Sequence, residues 1–526
     1  MECIFLKRNN HDGKCFLNYC FMRVIIVFAL FISFLLVAEH LFASPNKIYF
    51  RKYSTTSIRP FAKIHGKVTG LKRGDTVLVT QFKYGMSLKE AVQYKEYCIA
   101  KDAKFDFQIE DQEDVNHIVI SIDIPNIKWN FLVGLTIFRG DEFEFQINRD
   151  HFQFAGKDSA YYQLLNELIK NRKDWPDSAY DQPEKQLSLF IKSLDVQINM
   201  IESFRSKIGG RKANVLIADE IINSEFLKSS FLFLFAPMGN YHGHSREFYE
   251  TAFQNYLHNE KTYLANLKKN EDKGFLSRST NYTSYLVHRY FQKIGYAGGY
   301  YQARALQLFN NQKIAQYFQE HMHGIEKDKV LLWATTRAWR TGDTNLTNLV
   351  EFSSKHILDS NIAAYLRLIK AQVVPGAKLM EFNWVDMQGR NIKNSDVNGK
   401  IVLIDSWFTG CGNCREIHPI IDSINRLLRV YDFQVLSVST DLSKDTWLKS
   451  IKGGKYTSGD NLNVYTNGRG MEDPFFTNYQ IDSAPYLILF DKDGKLLQSP
   501  IDPRNDQGAS IISIVKEAYN KRAVAK

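Results

Sequence analysis

Two cysteines stand three residues apart in DSWFTGCGNCREIHP, residues 405–419. A C-x-x-C pair such as Cys411 and Cys414 can supply half of a zinc site, lock a turn as a structural disulfide, or work as a dithiol that trades electrons with other thiols. The remaining candidates for chemistry are weaker. His242 with His244, and His321 with His323, could share a metal only if the fold brought them together. No cysteine or carboxylate is fixed beside them, so solvated histidines are expected.

The segment before the pair says how it is held. The apolar run IVLI (401–404) reads as a strand that ends at Asp405, and the cysteines follow as a helix begins. A helix N-terminus presents unpaired amides and a partial positive charge, which favour thiolate over thiol. Such a position lowers a cysteine pKa from about 8.5 to roughly 3.5–7.5. Cys411 is therefore expected to attack, and Cys414, three residues along the helix and deeper, to resolve.

The chain around this element is long: 526 residues exceed one hydrophobic core and call for several domains. Its formal charge of +10 is spread thinly. No basic stripe is present, which argues against nucleic acid as a partner. Residues 24–38, VIIVFALFISFLLVA, form an uncharged run between Arg23 and the LFASP stretch, the layout of a signal peptide. An uncleaved membrane anchor through 24–42 is the rival, and Met22 is an alternative start. Export places the protein in the periplasm or cell envelope. Of six cysteines, Cys3, Cys15 and Cys20 lie in that leader region, leaving Cys98, Cys411 and Cys414, too few for a disulfide scaffold. Cys98 is expected to be a small buried hydrophobe.

The periodicity then changes twice. After the 1–44 leader, residues 45–157 alternate with period two, as in FDFQI and FEFQI, and read as a β-sandwich-like domain of antiparallel strands. Residues 158–373 space their apolar positions three and four apart and read as an α-helical domain, with FLFLF (231–235) and YAGGYYQ (296–302) in its core. From 374 to 526 strands KIVLID, FQVLSVSTD and PYLILFD alternate with helices after Cys411, around 446–451 and near 510–522. That order implies an α/β sheet with parallel central strands.

Residues 374–526 resemble the thioredoxin fold, specifically the exported TlpA/ResA-like thiol-disulfide oxidoreductases (a redoxin-like C-terminal domain). The match lies in W-x-x-x-C-x-x-C from Trp407 to Cys414, Pro419 five residues on, and SAPYLILFDKDGK at 483–495. The resemblance implies that Pro485 is a cis-proline facing the dithiol and that the Ala484 backbone pairs with a substrate strand. It also implies that Trp407 belongs to the substrate-binding face and that Asp405 is a buried carboxylate taking the proton of Cys414. This chain departs from the family at Gly410, where close members have Trp, and at Ile417, where some have Glu; Glu416 would face another side of the helix. Its Gly412-Asn413 is not the Gly-Pro of strong reductants.

The other roles of a C-x-x-C pair fit less well. One pair plus His418 gives zinc at most three ligands. Haem attachment needs His after the second cysteine, where Arg415 stands. A peroxidatic cysteine needs Thr at the place of Phe408. The implied activity is thiol-disulfide exchange without a bound cofactor or metal, on disulfide-containing exported proteins, recharged by a membrane thiol-electron donor. Run backward, the same chemistry is that of an oxidase or isomerase. A different reading makes 45–373 a binding module for a peptide, glycan or envelope partner, with the dithiol domain ancillary.

Overall fold

The computed structural model describes residues 62–69, 76–82, 93–99, 104–109, 115–123, 130–148, 151–171, 183–235, 265, 273–276, 279–297, 310–479, 481, 483–498 and 502–524. The leader or anchor at 1–44, with the 24–42 segment, lies outside these residues, as do His242 and His244. No helix among the described residues is long and apolar enough to cross a membrane.

Eight strands come first: β1 (Ala62–Val68), β2 (Thr76–Phe82), β3 (Gln93–Ile99), β4 (Lys104–Ile109), β5 (Val115–Asp123), β6 (Asn130–Phe138), β7 (Glu142–Asn148) and β8 (His151–Gly156). They form two four-stranded sheets, ordered β4-β1-β7-β8 and β3-β2-β5-β6. Alternation sets the faces: in β4, Phe105, Phe107 and Ile109 are buried while the residues between them are exposed. Buried side chains of both sheets, Ile64, Phe145, Ile118 and Ile137 among them, join one core, so the module is a sandwich. Its strands are mostly antiparallel, but β1 and β7 run parallel, a pairing across some eighty residues that local alternation does not encode. Cys98 pairs with Val77 between β3 and β2.

Helices follow: α1 (Ser159–Asn171), α2 (Pro183–Ile208), α3 (Gly210–Phe235), α4 (Lys273–Leu276), α5 (Thr280–Ala297), α6 (Asn311–His321), α7 (Gly324–Arg340), α8 (Leu346–His356) and α9 (Ser360–Val373). In α1, Tyr161, Leu164, Leu165 and Leu168 form the buried stripe, and Tyr161 donates its hydroxyl to the Thr136 carbonyl of β6 at 2.8 Å. The helix is thereby seated on the sandwich.

The last part contains β9 (Asn383–Asp386), β10 (Asn391–Lys393), α10 (Asn394–Val397), β11 (Ile401–Trp407), α11 (Gly412–Leu428), β12 (Phe433–Ser439), α12 (Lys444–Gly453), β13 (Leu462–Tyr465), α13 (Pro474–Asn478), β14 (Tyr486–Phe490), β15 (Leu496–Gln498) and α14 (Ala509–Val524). The sheet order is β10-β9-β13-β12-β11-β14-β15. The central strands β13, β12 and β11 are parallel, and β14 runs antiparallel to β11. Every residue of β11 is buried, as a central strand covered on both faces must be. The short strands β9, β10, β13 and β15 were not legible as period-two runs.

The helical region and this sheet are joined by packing. Trp339, at the end of α7, is fully buried; its indole N–H donates to the Tyr479 carbonyl at 2.7 Å, and the Tyr486 hydroxyl donates to the Trp339 carbonyl at 3.2 Å. One core runs from Leu331 and Leu366 on the helices to Trp384, Ile404 and Phe490 in the sheet.

Candidate active site

The dithiol sits where β11 ends and α11 begins, at the C-terminal edge of the parallel strands. That edge collects loops, and it is where open α/β sheets place their sites. Trp407 closes β11, and the turn 408–410 leads into Cys411, the N-cap of α11. The turn needs Gly410: its φ is +100°, a region that residues with a Cβ avoid. Non-local bonds fix the turn. Asp441, one residue past Thr440 beyond β12, accepts from the Thr409 amide (2.9 Å), the Thr409 hydroxyl (2.8 Å) and the Ser439 hydroxyl (2.9 Å). The Gly410 amide donates to the Tyr456 hydroxyl at 2.8 Å.

Cys411 and Cys414 form a disulfide, with Cα atoms 5.3 Å apart. The Cys414 amide donates to Cys411 Sγ at 3.1 Å. This is an N-cap bond made with sulfur, and it is the contact that stabilises a thiolate when the disulfide opens. Cys411 is 5% exposed and Cys414 2%. Cys411 is the outer sulfur, but in this oxidised form the gap between the two is narrower than the sequence alone suggests. Around them Trp407, Trp447, Tyr456 and Tyr465 make a small apolar cluster, with Ala484 packed against it.

Ala484 and Pro485 face the pair. Their peptide bond is cis, and the Ala484 carbonyl lies 3.7 Å from Cys411 Sγ. Both residues are half-buried, so this backbone edge remains open to an incoming chain. Trp407 is placed otherwise than the substrate-face expectation: it is fully buried, its indole N–H donates to Ser437 Oγ at 2.8 Å, and its ring stacks on Tyr456 at 5.3 Å. It therefore shapes the site from beneath, because its ring belongs to the packed layer under the turn.

Asp405 lies on β11 between Ser437 of β12 and Leu487 of β14. It is 3% exposed, and its Oδ1 has no hydrogen-bond partner among the described residues. Burial, with a smaller contribution from the negative charge of Asp422, pushes its pKa from 3.8 up to about 8. A carboxyl in that range can hold or release a proton near neutrality. The structure thus brings Cys411, Cys414, Ala484 and Pro485 together above a buried Asp405, and leaves Trp407 behind them.

Several residues of the site were not foreseen. Asp441 and Tyr456 reach the turn, and Ser437 reaches Trp407 before it, through non-local contacts; only the position of Asp441 at a strand end beside β11 could have signalled it. Arg504 reaches the dipeptide between the cysteines, donating to Asn413 Oδ1 at 3.1 Å and to Glu416 Oε2 at 2.8 Å. Ile417 is buried. His321 is exposed and stacks on Tyr317, and His323 is exposed as well. Among the described residues no cluster of three or more His, Cys, Asp or Glu is arranged to hold a metal.

The similar proteins cover about a quarter of this chain. The thioredoxin domain of a thiol-disulfide oxidoreductase from Bacteroides vulgatus is 27% identical over 28% of this chain and 98% of its own, with a TM-score of 0.25. A thiol:disulfide interchange protein from Bacteroides sp. is 27% identical over 26% of this chain and 89% of its own, with a TM-score of 0.23. A family model described as thioredoxin-like matches residues 398–496, which contain β11, the dithiol, α11 and the Ala484-Pro485 turn. The segment of this chain that carries the dithiol, residues 398–496, is thus similar to the thioredoxin-like family.

Proposed function

We propose that this chain is a thiol-disulfide oxidoreductase of the cell envelope that reduces or exchanges disulfides in exported proteins. The observation that carries the reading is the Cys411–Cys414 disulfide at the start of α11, facing the Ala484-Pro485 edge. In the reduced enzyme the Cys411 thiolate attacks a substrate disulfide and displaces one substrate thiolate. The substrate chain lies along Ala484 while the mixed disulfide persists. Cys414 then gives its proton to Asp405, attacks Cys411 Sγ and releases the second substrate sulfur as a thiolate. Two electrons pass from the pair to the substrate, and the pair ends as the disulfide seen here. A membrane thiol-electron donor would restore the dithiol, and the apolar leader would deliver the chain to that compartment.

The rival role for 45–373, partner or substrate binding, combines with this one. Trp339 touches Tyr486, the residue after Pro485, so the helical region reaches the strand beside the dithiol. The preceding domains would choose the substrate and the dithiol would do the chemistry. The test is Cys414→Ser in the exporting cell. Attack survives, resolution does not, and substrates stay attached to Cys411. Capture of disulfide-containing envelope proteins supports the proposal. If no mixed disulfide forms on Cys411 while the unsubstituted protein still binds an envelope partner, the binding role alone stands.

A further inference from the structure

Resolution leaves a proton on a carboxyl that water does not reach, and the enzyme cannot turn over until that proton departs. Asp405 shares its face of β11 with Ile401 and Leu403, which pack against Ile417, Ile421 and Ile424 of α11. Its side therefore looks toward that helix. On α11, Cys414, His418 and Asp422 recur every four residues and so form one stripe. His418 is buried, Asp422 is half-buried, and His418 Nε2 lies 3.7 Å from Asp422 Oδ2. Asp422 Oδ1 is buried and, like Asp405 Oδ1, has no hydrogen-bond partner among the described residues. Buried polar atoms are almost always paired, so two unpaired carboxylate oxygens on facing elements below one dithiol are an exception that asks for a function.

We infer that Asp422 and His418 form the proton path between Asp405 and solvent, serving the dithiol chemistry proposed above. As the mixed disulfide resolves, the Cys414 proton passes to Asp405 and the Cys414–Cys411 bond forms as the bond from Cys411 to substrate sulfur breaks. The substrate leaves as thiolate. The proton then moves from the Asp405 carboxyl to the Asp422–His418 pair and out to water or buffer. Reduction of the pair runs the path in reverse. The 3.7 Å separation closes with a small rotation of either side chain, and α11 keeps the two on one stripe throughout.

Other ionisable groups near these elements are engaged elsewhere. β12 has none; Tyr486 of β14 bonds to the Trp339 carbonyl. On α14, Lys516 lies over the Tyr431 ring and Glu517 pairs with Lys521; before that helix, Asp506 bonds Ser510, and Arg504 bonds Asp502 and Glu416. On α11 itself Arg426, one turn past Asp422, is exposed.

The test separates the first turnover from those that follow. The reduced full chain, with Cys3, Cys15, Cys20 and Cys98 replaced by Ser, is mixed with excess dithio-bis-nitrobenzoate, whose coloured thiolate is released once by Cys411 and once more by Cys414, and both rates are followed against pH. In Asp422→Asn and in His418→Gln both releases of the first turnover should match the unsubstituted protein, while the plateau of the steady-state rate of insulin reduction, with dithiothreitol re-reducing the pair, should fall about tenfold or more because the proton on Asp405 clears slowly. A purely electrostatic role for Asp422 would move the pH midpoint and leave the plateau; that result overturns the path. So does an unchanged plateau in His418→Gln, which decides alone if Asp422→Asn does not fold. Absence of the first release in the unsubstituted protein overturns the dithiol reading itself, a separate failure.

Discussion

Replacing Asp405 by Asn should change how stability depends on pH. In the oxidised chain no thiol of the pair titrates, so the carboxyl is the group in question. Its folded pKa is about 8 against an ordinary 3.8, raised by burial first and by Asp422 second. An acid with a raised pKa binds its proton more tightly when folded, so its contribution is fully present below about 3.8 and is lost as pH rises to about 8. Each pH unit in that window corresponds to about 1.36 kcal/mol. Between pH 4 and pH 7 the wild type should therefore lose about 4 kcal/mol that Asp405→Asn retains. The two proteins differ at this one carboxyl, which makes the difference curve specific to this site. Urea midpoints of the oxidised proteins, measured at intervals from pH 4 to pH 8, give that curve. Parallel pH profiles for the two proteins would refute the reasoning, because they would place Asp405 in contact with water.

Two further substitutions test how the site is held. Gly410→Ala should destabilise by about 1–2 kcal/mol, since φ is +100° there; the new Cβ would meet nothing within 4 Å, so the cost is backbone alone. A urea midpoint at or above wild type would contradict this. Trp339→Ala should cost about 3–5 kcal/mol through the cavity it leaves. Hydrogen exchange should then show lost protection in both α7 and β14, and loss confined to α7 would refute the common core.

The sequence made the local parts of this molecule legible. An apolar strand, a C-x-x-C pair and a helix start are contiguous in 401–428, and alternation in FDFQI exposes a sandwich strand. What stayed hidden depends on residues far apart. The parallel β1–β7 pair has no local signature, and Tyr456 meets Gly410 only because the fold brings them together. Trp407 illustrates the limit of reasoning by resemblance: the family motif implies a place on the substrate-binding face, but a β11 covered on both faces buries it. Strands of three and four residues, such as β10 and β13, are too short for a period to emerge.

The most direct test is the ionisation of Cys411 in the reduced chain, read as its alkylation rate by iodoacetamide against pH, with the label mapped to that residue. The helix start and the Cys414 amide predict a midpoint below the value of about 8.5 for a free cysteine. A midpoint at or above that value would contradict the assignment of Cys411 as the attacking thiolate.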